Sequence, residues 1–191
     1  MLRNCNIIFN GNIPLTTYQW SHNNVSIGLT SPGTGDTIPG FIGINTGLVS
    51  QTANVVVVPE YNGCFGDTVF TFITVFPTPV VNPEPDQILC VNTFTNAINF
   101  SGTVNGSTYN WTSVNGSSIG LNPTSGINTV PAFNTINTSP SSIVSQILVT
   151  PIANGCAGLQ DTIEITVIDP LPIITPTPDA NYCSGNTIST I

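Results

Sequence analysis

A stretch of about 92 residues occurs twice in this chain, in order and almost without insertion. Tyr18-Gln19-Trp20 returns as Tyr109-Asn110-Trp111, and Ser26-Ile27-Gly28-Leu29 as Ser118-Ile119-Gly120-Leu121. Ile38-Pro39-Gly40-Phe41 returns as Val130-Pro131-Ala132-Phe133, and Val58-Pro59-Glu60-Tyr61-Asn62-Gly63-Cys64 as Thr150-Pro151-Ile152-Ala153-Asn154-Gly155-Cys156. Cys90 recurs as Cys183 after matching proline-rich stretches, and the offset drifts only from 91 to 93. A repeat this long can bury its own core, so the pattern predicts autonomous domains in a row rather than a thin solenoid. The expected division is a first repeat over 1–79 with a shortened opening, a complete repeat over 80–172, and the opening of a third over 173–191.

Inside the complete repeat, short β-rich segments alternate with Gly, Asn and Pro clusters at the spacing of a sandwich. Expected strands are Ile88 to Val91, Ala97 to Phe100, Thr108 to Thr112, Ser118 to Leu121, Val130 to Phe133, Ile143 to Thr150 and Thr162 to Ile168. Tyr109 and Trp111 stand two apart, hence on one strand face, as do Tyr18 and Trp20, and each pair is the strongest core marker of its repeat. The charged, long-chain residues that coat exposed helices are almost missing, while Gly (17) and Pro (16) abound. The fold class is therefore all-β: tandem immunoglobulin-like sandwiches joined by Pro-rich, semi-rigid linkers.

Charge excludes several functions. Only ten side chains are formally charged, Arg3 and nine carboxylates, for a net charge of −8, and neutral Asn (23), Thr (27) and Ser (16) supply the polar surface instead. A single Arg cannot displace counterions from nucleic acid, nor form a polybasic membrane patch. No apolar run approaches the ~20 residues that cross a bilayer as a helix, so membrane insertion is not expected. The N-terminus lacks the apolar stretch of a signal peptide, which implies either a removed leader or a piece of something longer.

Candidate sites are sparse. The only histidine, His22, is expected in an exposed turn after the Trp20 strand, and no Ser, His, Asp set or acid pair recurs between repeats, so no enzyme activity is expected. In a sandwich whose first strand runs parallel beside its last, the starts of those strands share one end. Cys90 and Cys156 are then expected to meet, and Cys5 to pair with Cys64, with Cys183 left for a partner in a third repeat. Such a bridge would contribute about 4 kcal/mol and imply an oxidising compartment. Buried reduced thiols are the alternative, and zinc is disfavoured because the cysteines stand singly. Glu84 and Asp86, in the linker Asn82-Pro83-Glu84-Pro85-Asp86, are weak calcium candidates, too few for the six to eight oxygens calcium takes, and no other cofactor is expected.

This ordered series, Tyr-x-Trp, Ser-Ile-Gly-Leu, Ile/Val-Pro-x-Phe, Asn-Gly-Cys-x-Gly and a Thr-rich last strand ending in Pro-x-Pro, resembles the PKD-like repeats of giant surface proteins of Flavobacteria and other Bacteroidota. The resemblance covers nearly the whole chain. It implies immunoglobulin-like sandwiches strung in adhesins or gliding-associated proteins that leave by type IX secretion. The expected location is extracellular, at the cell surface, and the expected role a stalk or filament, with a carbohydrate-binding accessory module as the alternative. Asp36-Thr37-Ile38, Asp67-Thr68-Val69 and Asp161-Thr162-Ile163 also look like the O-glycosylation acceptor pattern of exported Bacteroidota proteins, which makes Thr37, Thr68 and Thr162 candidate acceptors. Expected partners are neighbouring copies of the same repeat, within one long chain or between subunits that lend a terminal strand to the next, and surface or host glycans.

Overall fold

A computed structural model describes residues 7–30, 32–168 and 184–185; Arg3, Cys5, Cys183 and most of the third-repeat opening lie outside these ranges. The described residues are all-β apart from two short 3-10 turns, and no helix among them is long and apolar enough to cross a membrane. The first unit contains β1 (Ile7–Ile8), β2 (Thr17–His22), β3 (Gly33–Thr34), β4 (Thr37–Ile38), β5 (Gln51–Tyr61), β6 (Cys64–Phe65) and β7 (Val69–Val75). The second contains β8 (Gln87–Leu89), β9 (Ile98–Asn99), β10 (Thr108–Val114), β11 (Ser125–Ile127), β12 (Thr129–Val130), β13 (Ile143–Ala153), β14 (Cys156–Ala157) and β15 (Asp161–Val167).

Side-chain alternation builds both units the same way. Along β10 the inward positions are Tyr109 and Trp111, along β2 Tyr18 and Trp20, each polar outside. In the second unit the large sheet has the order β11-β10-β13-β15-β8, with β14 beside β13. All its pairs are antiparallel except the last, in which β8 runs parallel to β15. A smaller layer of β9 and β12 faces it, and the core between them is filled by Tyr109, Trp111, Ile147, Val149, Ile163 and Ile165 against Ile98, Phe100, Val130 and Phe133. The first unit repeats the register: Tyr18 faces Pro59 and Trp20 faces Val57, as Tyr109 faces Pro151 and Trp111 faces Val149. Its sheet order is β3-β2-β5-β6, β7 pairs with β5, and the small layer is β1-β4. Its core of Tyr18, Trp20, Ile27, Leu29, Ile38, Ala53, Val55 and Val57 is a separate cluster.

One expected strand is not a strand. Ser118 to Leu121 falls on a 3-10 turn, Gly116–Ile119, and its first-unit counterpart on Val25–Ile27. Gly120 and Gly28 end these turns at φ of 97° and 91°, the left-handed region where a Cβ is penalised. A Cβ on Gly120 would also stand 2.6 Å from the Asn134 carbonyl oxygen, and one on Gly28 would strike that of Ile42. The turn tucks Ile119 and Leu121 fully into the core, which is why the motif reads as apolar. The Asn-Gly pairs are likewise turn chemistry: Asn62, Gly63, Asn154 and Gly155 all have positive φ, as a two-residue hairpin between β5 and β6 and between β13 and β14 demands.

Gly120→Ala is expected to lower stability by about 3 kcal/mol, because backbone strain and the Asn134 collision add. Gly106→Ala, at φ 76° with open space around it, should cost about 1 kcal/mol. Denaturant unfolding of the two variants checks the difference.

Candidate functional site

A groove of about 920 Å³ lies on the first unit. One wall is the run Ile7 to Ile13, the other Pro59 to Thr71, and Tyr18 lies between them. The Phe9 and Tyr18 rings are 5.7 Å apart, tilted by 43°. At the rim the Glu60 carboxylate accepts a hydrogen bond from Gln19 Nε2 at 2.9 Å. Apolar walls with exposed strand backbone suit an extended apolar chain, since main-chain pairing supplies affinity and alternate side chains enter the wall.

The second unit shows what this position normally holds. There Pro77, Pro79 and Val81 are buried at alternate residues. Asn82 N–H donates to the Ser101 carbonyl at 2.9 Å, Thr103 N–H donates to the Val80 carbonyl at 3.0 Å, and Val81 bridges Gly102 antiparallel. The Pro79 carbonyl packs so closely on Gly158 that no Cβ fits there. Ser101, Gly102 and Thr103 correspond to Asn10, Gly11 and Asn12 of the groove, and Gly158 to Gly66. In the first unit, among the described strands, β7 pairs only with β5. Burial follows: Ile163, Ile165 and Val167 are at most 1% exposed, whereas Thr71, Ile73 and Val75, their first-unit counterparts, are half-buried. Trp111 Nε1 donates to the Thr129 carbonyl at 2.9 Å, while buried Trp20 Nε1 has no partner.

The expected Cys90–Cys156 bridge is not formed; both are free, half-exposed thiols. The reason lies in the parallel register. Cys90 follows β8 rather than opening it, and Ile168 N–H donates to the Leu89 carbonyl, so Cys90 stands beside the end of β15. Cys156 opposes Ala153 at the other end of β13, and Ile143 opposes Val167. The 11-residue β13 separates the two poles by roughly 35 Å, far beyond the ~7 Å between Cα atoms that a disulfide spans. Cys64 is an exposed free thiol opposite Tyr61 in the equivalent hairpin, and its expected partner Cys5, like Cys183, lies outside the described residues.

His22 is not in an exposed turn. It is the last residue of β2, paired with Val55, and both ring nitrogens are shielded without a hydrogen-bond partner. The strand runs further than its sequence suggested because the ladder to β5 continues through it. The calcium candidates are not assembled: Asp86 Oδ1 accepts from Glu164 N–H at 2.7 Å, which makes it a strand clamp, Glu84 is half-buried, and no group of three His, Cys, Asp or Glu converges among the described residues. The three Asp-Thr triplets occupy different places. Thr37, in β4, donates to Asp36 Oδ1 at 3.0 Å; Thr68 is exposed ahead of β7; Thr162 is exposed within β15. The shared register sets Asp161 against Val69, so Asp67-Thr68 and Asp161-Thr162 are not equivalent positions.

A different surface was missed. Phe70 and Phe72 point outward from β7 and are 69% and 71% exposed, next to His22, Asn23, Asn54 and Val56. Their second-unit counterparts are Thr162 and Glu164, and comparing the outward positions of the two repeats is the sequence signal that finds them.

No family model matches the chain. No curated protein matches it either. Among solved structures it is similar to the chicken CNTN1 FN1-FN3 domains, at 15% identity and a TM-score of 0.33, over 88% of this chain and 62% of that one. The chain thus spans less than two thirds of that structure. The β-sandwich class rests on the strand pairing itself.

With no bridge inside the second unit, its melting temperature is expected to be the same with and without reductant, and Cys156→Ser should change stability by less than about 0.5 kcal/mol. A marked fall on reduction would restore the disulfide.

Proposed function

We propose that this chain is a structural repeat segment of an extracellular surface protein, part of a stalk or filament of a bacterial adhesin of the PKD-like type. The observation that supports it is how the repeats join. The Pro77-Thr78-Pro79 stretch after β7 is no free tether, since Pro77 and Pro79 are buried and Pro79 packs against Gly158 of the second unit. A joint built into a core has little freedom to fold back, and successive units then extend. Neutral Asn, Thr and Ser supply most of each unit's polar surface, so the units stay hydrated with few charged side chains. The half-exposed thiols fit either side of the cell boundary, and the extracellular location rests on the repeat pattern alone.

A second reading, a glycan-binding accessory module, draws on Phe70 and Phe72. Side chains two apart on a strand stand roughly 7 Å from each other, and here they form an apolar platform beside Asn23 and Asn54. Thr37, Thr68 and Thr162 remain candidate glycan acceptors, and peptide mass mapping of native material is the assay for them.

Solution scattering tests the stalk. A compact globule of this length has a radius of gyration near ~16 Å, and an extended pair should lie clearly above it. A value at ~16 Å would contradict the stalk. Glycan-array binding that disappears in Phe72→Ala, with folding intact, would instead favour the accessory module.

A further inference from the structure

We infer that the second unit is built to carry tension along the chain, and that its mechanical lock is the parallel pair β8–β15. The inference rests on the stalk reading and names the part of the repeat that takes the pull.

A stalk is pulled through the points where the chain enters and leaves each unit. The chain enters the second unit at Pro79, against Gly158, beside the hairpin that joins β13 to β14. It leaves at Ile168, after β15 has run from Asp161, opposite Val149, to Val167, opposite Ile143. Entry and exit therefore stand at opposite poles. Gln87, Ile88 and Leu89 run in the same direction as Ile165, Thr166 and Val167, so a pull on Pro79 and Ile168 slides β8 and β15 past each other along their length. The evenly spaced main-chain bonds of such a pair are strained together and must break together. Strands that entered and left at one pole would instead peel apart one bond at a time.

Further bonds widen this short ladder. The pull first meets the small layer, where Thr103 N–H donates to the Val80 carbonyl at 3.0 Å and Asn82 N–H to the Ser101 carbonyl at 2.9 Å. Asp86 Oδ1 then accepts from Glu164 N–H at 2.7 Å, and Ile168 N–H donates to the Leu89 carbonyl at 2.9 Å, so the pair is tied at both ends. The Gln87 amide exchanges two hydrogen bonds with the backbone of Asn96, and beyond β8 Thr135 Oγ1 donates to the Cys90 carbonyl at 2.8 Å. On the other strand, Asn137 Nδ2 donates to the carbonyls of Val167 and Ile168 at 3.1 and 3.3 Å, where the chain leaves the unit. Sliding β8 along β15 has to break the bonds on the β8 side of this set before any core residue is exposed.

The test holds the full chain by its two ends in an optical trap at constant load and times the unfolding of the second unit, recognised by the release of about 300 Å of chain. Forced unfolding follows the unfolding rate, which responds to interactions already lost at the barrier. Asp86→Ala removes the acceptor of Glu164 N–H, and Leu89→Pro removes an amide that faces β15 as the Leu89 carbonyl does. Ile88→Pro, at a side chain 75% exposed whose amide points away from β15, and Gly120→Ala, in the 3-10 turn outside the pair, are the controls. Asp86→Ala is expected to unfold about tenfold faster under load and Leu89→Pro faster still, while Ile88→Pro and Gly120→Ala stay within about twofold of the parent chain. No acceleration by Asp86→Ala, or equal acceleration by Gly120→Ala, would overturn the inference. Should Leu89→Pro fail to fold, Asp86→Ala against the two controls still decides. A compact scattering radius would defeat the stalk without changing the order of these rates, and rates indifferent to the pair would leave the stalk standing, so the two failures are separable.

Discussion

Everything distinctive in this protein depends on one edge segment that begins in the small layer of a sandwich and ends beside the last strand of the large one. In the second unit, Pro79 to Leu89 closes both layers: it satisfies the backbone of Ser101 to Thr103 on one side and the outer edge of β15 on the other. Where it is present, Ile163, Ile165 and Val167 are sealed from water; without an equivalent among the described strands, Thr71, Ile73 and Val75 are only half-buried. Open sheet edges and half-covered apolar side chains are what native β-proteins avoid, and in the second unit this edge segment removes both. Because this segment also contains the linker prolines, the joint between repeats and the completion of the repeat are one structural event.

That arrangement explains how a chain with so little charge holds together. Arg3 is the only Lys or Arg in the sequence and lies outside the described residues, so the described fold rests on apolar burial, strand ladders and side-chain hydrogen bonds, most of them from neutral groups. Asn137 Nδ2, for example, donates to the carbonyls of Ser141 and Val167 at 3.0 and 3.1 Å, and Asn45 does the same to Val49 and Val75. These amides occupy equivalent positions and pin the loop before the longest strand to the end of the last one. Asn serves here as structural polar glue as well as surface.

Much of this was legible in the residues. Repetition of Tyr-x-Trp fixed the inward face of β2 and β10, and the β-branched runs of β5 and β13 left little room for anything but strands. Ser-Ile-Gly-Leu misled because an apolar quartet in a β-rich context reads as a strand, and only the positive φ of Gly28 and Gly120 reveals a turn. The cysteines misled for a geometric reason: sequence shows that Cys90 lies near the first strand and Cys156 near the last, but not that the parallel register sets Gln87 opposite Ile165 rather than opposite the start of β15. Cys90 therefore stands level with Ile168, seven residues along from Asp161 at the start of β15, and so at the opposite pole from Cys156. His22 reads as a turn residue, and Phe70 and Phe72 draw no attention, because what sets them apart is relative to Ser113, Thr162 and Glu164 and emerges only once the two units are laid in the same register.

Amide hydrogen exchange along the two last strands tests the account most directly. The account predicts that the outward-edge amides of β7 exchange fast while those of β15, covered by β8, exchange slowly. Equal protection of β7 and β15 would contradict it.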